Sequence, residues 1–146
     1  MSGVNIGTLI GGKGNDTITI SNLIGVNGGG GNDTLVYKGV SATVGNTASL
    51  GGLGFFVKNI GTVDLSKNVL NATSGYNYSI TTQDILNMTT SSNNITIKTY
   101  SASGVADTHV VTQSAGHSYS ETAAGVGTIT AGTTSYTVNW VTVATH

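Results

Sequence analysis

Apolar residues in this chain fall into short alternating runs, and over most of its length they avoid the three-and-four spacing of a helix. Beyond Gly45 these runs are separated by clusters of Ser, Thr, Asn and Gly, the punctuation of strands and turns. Strands are predicted at Phe55 to Lys58, Thr62 to Leu65, Asn77 to Ile80, Ile95 to Tyr100, Thr108 to Thr112, Gly127 to Thr130 and Ser135 to Val143. The last alternates most clearly, with Tyr136, Val138, Trp140 and Thr142 on one face. One helical segment is predicted at Thr82 to Met88, where T-T-Q-D-I-L-N-M supplies a hydroxyl N-cap and an acid in the first turn.

Before Gly45 the pattern is a repeat. G-G-K-G-N-D-T-I-T at Gly11 to Thr19 returns as G-G-G-G-N-D-T-L-V at Gly28 to Val36, 17 residues later. That offset is close to two nine-residue units, and the intervening Ile20 to Asn27 reads as a degenerate repeat shortened by one. Gly3 to Ile10 reads as a further degenerate turn. In a parallel β-roll successive nonapeptides alternate between two edges, which stacks Gly11–Asp16 under Gly28–Asp33. Ile18 and Leu35 then point into the core and Lys13 toward solvent. With no linker-like run after residue 45, the expected fold is all-β. A short parallel β-roll (residues 1–45) continues into a C-terminal β-sandwich or β-solenoid-like sheet (46–146), with at most one short helix.

The nonapeptide also carries chemistry. Its glycines permit a tight turn that exposes carbonyl oxygens, and its sixth residue adds a carboxylate. Between two stacked turns, carbonyls of Gly11, Lys13 or Gly14 and the Asp16 carboxylate would meet Gly28, Gly30 or Gly31 and Asp33, giving roughly the six hard oxygens that calcium takes. G-N and N-D are also ordinary turn dipeptides, so one copy alone would read equally as a glycine-rich hairpin turn. Two copies at nearly two-repeat spacing favour one calcium ion. Asp64 and Asp84 are assigned to a strand end and a helix start.

Composition narrows the alternatives. Twenty-two glycines, no proline, 8% charged and 38% hydrophobic residues describe a folded, turn-rich β chain. Its 146 residues suit a single unit. Without cysteine, neither disulfides nor a thiolate site can staple it, which leaves an oxygen-ligated cation. The N-terminus shows no Sec-type signal, and no apolar run reaches membrane-spanning length. Five basic residues and a net charge of -1 argue against a nucleic-acid partner and permit association with copies of the chain.

Catalytic motifs are absent: neither H-E-x-x-H nor G-x-S-x-G occurs. The histidines are His109, His117 and His146. Asp107 and His109 share a strand face and could begin a zinc site, but two ligands do not complete one, and both read as ordinary surface residues. Glu121 reads as a solvating group. Tyr76, Tyr78, Tyr100, Tyr119, Tyr136 and Trp140 could form a sugar-binding platform, although cross-strand packing accounts for them better. The chain is expected not to be an enzyme.

The paired nonapeptides resemble the RTX (repeats-in-toxin) calcium-binding family. N-I-G-T-V-D-L-S at Asn59 to Ser66, Y-S-I-T-T-Q-D-I-L-N-M at Tyr78 to Met88, N-N-I-T-I-K-T at Asn93 to Thr99 and Tyr136-Thr137-Val138 resemble the C-terminal module of type I secreted bacterial adhesins. The resemblance implies export through a type I secretion apparatus under an uncleaved signal within 46–146, then folding on calcium at the bacterial cell surface or beyond it. A chain of this size would act by assembling with copies of itself, or with cell-surface components, as a surface-layer, matrix-fibre or adhesive subunit. The alternative is a secretion and folding module of a larger RTX adhesin or enzyme.

Overall fold

The structure is a computed structural model that describes residues 7–42, 45–68, 70 and 74–145. The beginning of the expected turn at Gly3 to Ile10, and His146, lie outside the described residues. The N-terminal repeats form four short strands: β1 (Leu9–Ile10), β2 (Thr17–Ile20), β3 (Val26–Asn27) and β4 (Thr34–Tyr37). They are followed by β5 (Thr47–Ser49), α1 (Leu53–Phe56), β6 (Val57–Lys58), β7 (Thr62–Asp64), β8 (Asn77–Thr81) and α2 (Thr82–Met88). The chain continues through β9 (Asn94–Ala102), β10 (Val105–Ala106), β11 (Thr108–Thr112), β12 (His117–Glu121), β13 (Val126–Ala131) and β14 (Thr134–Val143).

The protein is mostly β, in mixed sheets. The largest has eight strands and runs β12-β13-β14-β9-β7-β4-β2, with β10 paired beside β9. From β2 to β14 its neighbours are parallel, and β12, β13 and β14 form an antiparallel meander. Two smaller parallel sheets, β1-β3-β6 and β11-β8-β5, complete the body. The repeat offset appears directly in the register, since Thr17 pairs with Thr34 and Leu9 with Val26.

Although the later rungs have longer offsets, their parallel pairing keeps one inward position recurring along the large sheet. Ile18, Leu35, Val63, Ile97 and Trp140 stand in line across five strands. Leu35, Val63 and Ile97 are sealed from solvent, and Ile18 packs against them from the end of the row. β4 pairs with β7, so the repeats and the rest of the chain share one sheet and one hydrophobic core.

Several features differ from expectation, among them the short strands β5 and β10, to which no predicted stretch corresponds. The stretch Phe55 to Lys58 is not a strand throughout. Leu53 and Val57, four apart and both buried, suit a helical turn, which leaves Phe55 77% exposed. Gly52, at φ 86, starts that turn, giving a second short helix where at most one was expected. In addition, β12 had no strong signal, because H-S-Y-S-E is poor in β-branched residues and is held by its partner β13. α2 matches its expected bounds. The Thr81 hydroxyl accepts the Asp84 amide at 3.1 Å, and the Asp84 carboxylate accepts the Gly54 amide at 3.1 Å.

Ile97 is sealed within the inward row, so Ile97→Ala should lower stability by about 2–5 kcal/mol through lost burial and the cavity left behind. Denaturant unfolding would show it as an earlier midpoint with an unchanged slope.

Candidate metal centre

The two nonapeptide turns stack as their spacing implies. Gly11 N–H donates to the Asn27 carbonyl at 2.9 Å, Gly14 N–H to Gly30 at 2.8 Å, and Gly30 N–H to Gly12 at 2.7 Å. Lys13 pairs with Gly30 in a parallel bridge, and its side chain is exposed. At the end of each turn the aspartates tie the rungs together. The Asp16 amide donates to Asp33 Oδ1 at 2.8 Å, and the Thr34 amide to the Asp16 carbonyl at 2.8 Å.

One oxygen of each carboxylate remains. Asp16 Oδ2 and Asp33 Oδ2 are buried with no hydrogen-bond partner, and Asp33 is 0% exposed. A buried carboxylate oxygen without a donor is costly unless a positive group faces it. Backbone carbonyl oxygens lie close by. A Cβ added to Gly11 would sit 2.5 Å from the Gly28 carbonyl oxygen and 2.9 Å from Asp16 Oδ2. A Cβ added to Gly28 would sit 2.2 Å from the Asn59 carbonyl oxygen and 2.5 Å from Asp33 Oδ2. Glycine is needed at both places because a side chain would occupy the point where these oxygens converge.

No family model, curated protein or solved structure matches this chain. The site is therefore read from its own atoms. Of the eight residues expected as ligands, the structure brings the carboxylates of Asp16 and Asp33 and the carbonyl of Gly28 to these points, with Gly11 facing them. Gly14 and Gly30 bond backbone to backbone across the two rungs, Lys13 pairs with Gly30, and Gly31 packs against the Gly14 carbonyl. The donor set is all oxygen, the chemistry of a hard cation such as calcium. Asn59 was not foreseen as part of the site: its turn, N-I-G, carries no aspartate, and only the stacking shows that its carbonyl faces the repeats.

A second polar cluster was not legible in the sequence. His109 on β11 lies flat on Trp140 of β14, with ring centroids 3.6 Å apart and planes 5° from parallel. Its Nε2 is 2.8 Å from Glu121 Oε2, which also accepts the Tyr119 hydroxyl at 2.6 Å. The Trp140 indole N–H donates in turn to the Tyr119 oxygen at 3.0 Å. Three expectations change here. Asp107 is buried rather than on the surface, with its carboxylate accepting the amides of Tyr76 and Tyr100 at 2.8 Å each. His109, expected as an ordinary surface residue, pairs with Glu121, and Glu121 holds two partners rather than merely solvating the surface. The preferred reading of the aromatics fits: Tyr76, Tyr78 and Trp140 are buried in packing, and the Trp140 face is covered by imidazole. No helix among the described residues is long and apolar enough to cross a membrane.

Burial alone would raise the Glu121 pKa, but hydrogen bonds from Tyr119 and His109, helped by the His109 charge, outweigh it and hold the carboxyl below 4.5. A pKa depressed on folding adds stability that is complete above the unfolded value and is lost as pH falls through the folded one. The stability difference between the parent and Glu121→Gln should therefore be constant near neutrality and shrink below pH 4.5, as read from thermal melts across that range. At the stacked turns, Gly28→Ala should cost about 3 kcal/mol, the upper end for forced overpacking. Gly7→Ala, where nothing lies within 4 Å of the added atom, should change stability by less than about 0.5 kcal/mol.

Proposed function

We propose that this chain is an extracellular calcium-binding structural protein of the RTX type, without enzymatic activity. In this reading its β-roll folds on calcium after type I secretion, and the folded chains assemble as surface-layer, matrix-fibre or adhesive subunits. The observation that carries it is the pair of buried, unpartnered carboxylate oxygens, Asp16 Oδ2 and Asp33 Oδ2, in a stack of glycine turns lined by carbonyls. The ion would be held by Asp16 and backbone carbonyls including that of Gly28, in a stack that Asp33 Oδ1 closes by accepting the Asp16 amide, and it would supply positive charge that the buried carboxylate lacks.

Binding of this kind is linked to folding, because the stacked turns exist only in the folded chain. An ion present at 100 times its dissociation constant adds roughly 2.7 kcal/mol, a large part of a small domain's stability. Folding then follows the calcium level, low inside a cell and high outside.

Assembly is supported by the first rung. β1 and β2 end their sheets at the same end of the stack, and Ile10 beside them is 70% exposed. Among the described residues nothing pairs with their free sides. Unpaired parallel edges can template the strands of another copy.

A calcium titration followed by circular dichroism and light scattering tests both halves. Strand signal should rise with calcium, fall with chelator, and be abolished in the double variant Asp16→Ala/Asp33→Ala; particle size should rise with it. A spectrum indifferent to calcium would refute the calcium reading, and a monomer at millimolar calcium would refute assembly.

A further inference from the structure

Resting on the calcium reading above, we propose that the turn Asn59–Gly61 roofs a second cation seat, in which the Asp33 carboxylate and the Asn59 carbonyl hold a calcium ion more weakly than the seat below. The two positions repeat one arrangement. Gly11 N–H donates to the Asn27 carbonyl at 2.9 Å, and one rung higher Gly28 N–H donates to the Lys58 carbonyl at 3.0 Å. Over Gly11 a carboxylate oxygen from its own turn meets the Gly28 carbonyl of the next; over Gly28 the Asp33 carboxylate oxygen meets the Asn59 carbonyl of the next. Asp33 Oδ2 is as unpartnered as Asp16 Oδ2 and belongs to the more deeply buried residue. One ion over Gly11 leaves it unexplained.

The roof has its own signature. Asn59 adopts φ 54, a left-handed conformation that is unfavourable for a non-glycine residue unless something holds it there. Its side-chain amide donates to Asn27 Oδ1 at 2.8 Å, which fixes the turn over the Gly28 rung. The Gly61 and Thr62 amides both donate to the Asp33 carbonyl at 3.0 Å and close the turn from the other side.

The seats differ in charge. Register pairs Thr34 with Thr62, so Gly61 stands where an aspartate would close a third repeat. The lower seat lies between two turns that each carry a carboxylate, the upper between one that does and one that does not. Calcium affinity follows ligand charge, so the upper site should be weaker by about tenfold or more. It also has a distinct task. Asn59 leads into β7, and Ile60 N–H donates to the Met88 carbonyl at 2.9 Å, so an ion held there clamps the repeats to the C-terminal part.

Calcium counted by equilibrium dialysis of the full chain, with calorimetry for the steps, tests this. Two ions bound in two separable steps support the proposal. One ion in total refutes it while leaving the calcium reading intact, and no binding refutes both. Asp33→Asn should bind one ion, and retention of two would overturn the assignment. Because that variant could disturb folding, Asn59→Ala supplies the milder arm: it keeps the carbonyl but loosens the turn, and should weaken only the second step by about five- to tenfold. Equal weakening of both steps, or no change in either, would contradict the upper seat.

Discussion

Two carboxylate oxygens sealed from water in a stack of glycine turns set the terms for this structure. Asp16 and Asp33 each use their backbone to join neighbouring rungs, while Oδ2 of each is left without a donor. Such a group is tolerated when a cation faces it and strongly destabilising when none does. At Gly11 and Gly28 the turns also bring backbone oxygens of the next rung close to the same points. In the proposed reading, stability of the repeats and occupancy of the site are one quantity.

The rest of the molecule is arranged so that this dependence spreads. The repeats are not a separate appendage, since β4 pairs with β7, β7 with β9 and β9 with β14 in a single parallel ladder. The inward row from Ile18 to Trp140 is continuous through that ladder, so loosening the first rungs exposes one end of the common core. The far end has its own fastening, the stack and hydrogen bonds of His109, Glu121, Tyr119 and Trp140, which joins β11 to the antiparallel meander without any ion. In the proposed reading the N-terminal end waits for a cation, while the far end is fastened by side chains alone. That asymmetry suits the proposed life of the protein, exported unfolded and completed outside.

Local features were legible in the sequence where chemistry and period agreed. The offset between the nonapeptides predicts the register of β2 on β4, and the T-T-Q-D signal predicts the bounds of α2. Hidden features depended on distant partners. Glu121 finds His109 only because β12 and β11 meet in space, and β12 itself is a weak strand held by β13. Asp107 reads as a surface acid until two amides from other segments converge on it. Asn59 shows why a site cannot be bounded by its motif: a backbone carbonyl carries no sequence signal, and any residue able to hold the turn could have supplied it.

Anomalous diffraction from crystals grown in calcium tests the central claim most directly. The account predicts peaks about 2.3–2.6 Å from Asp16 Oδ2 and Asp33 Oδ2, inside the stacked turns. Ordinary water at those points, or both carboxylates turned out to solvent, would contradict it.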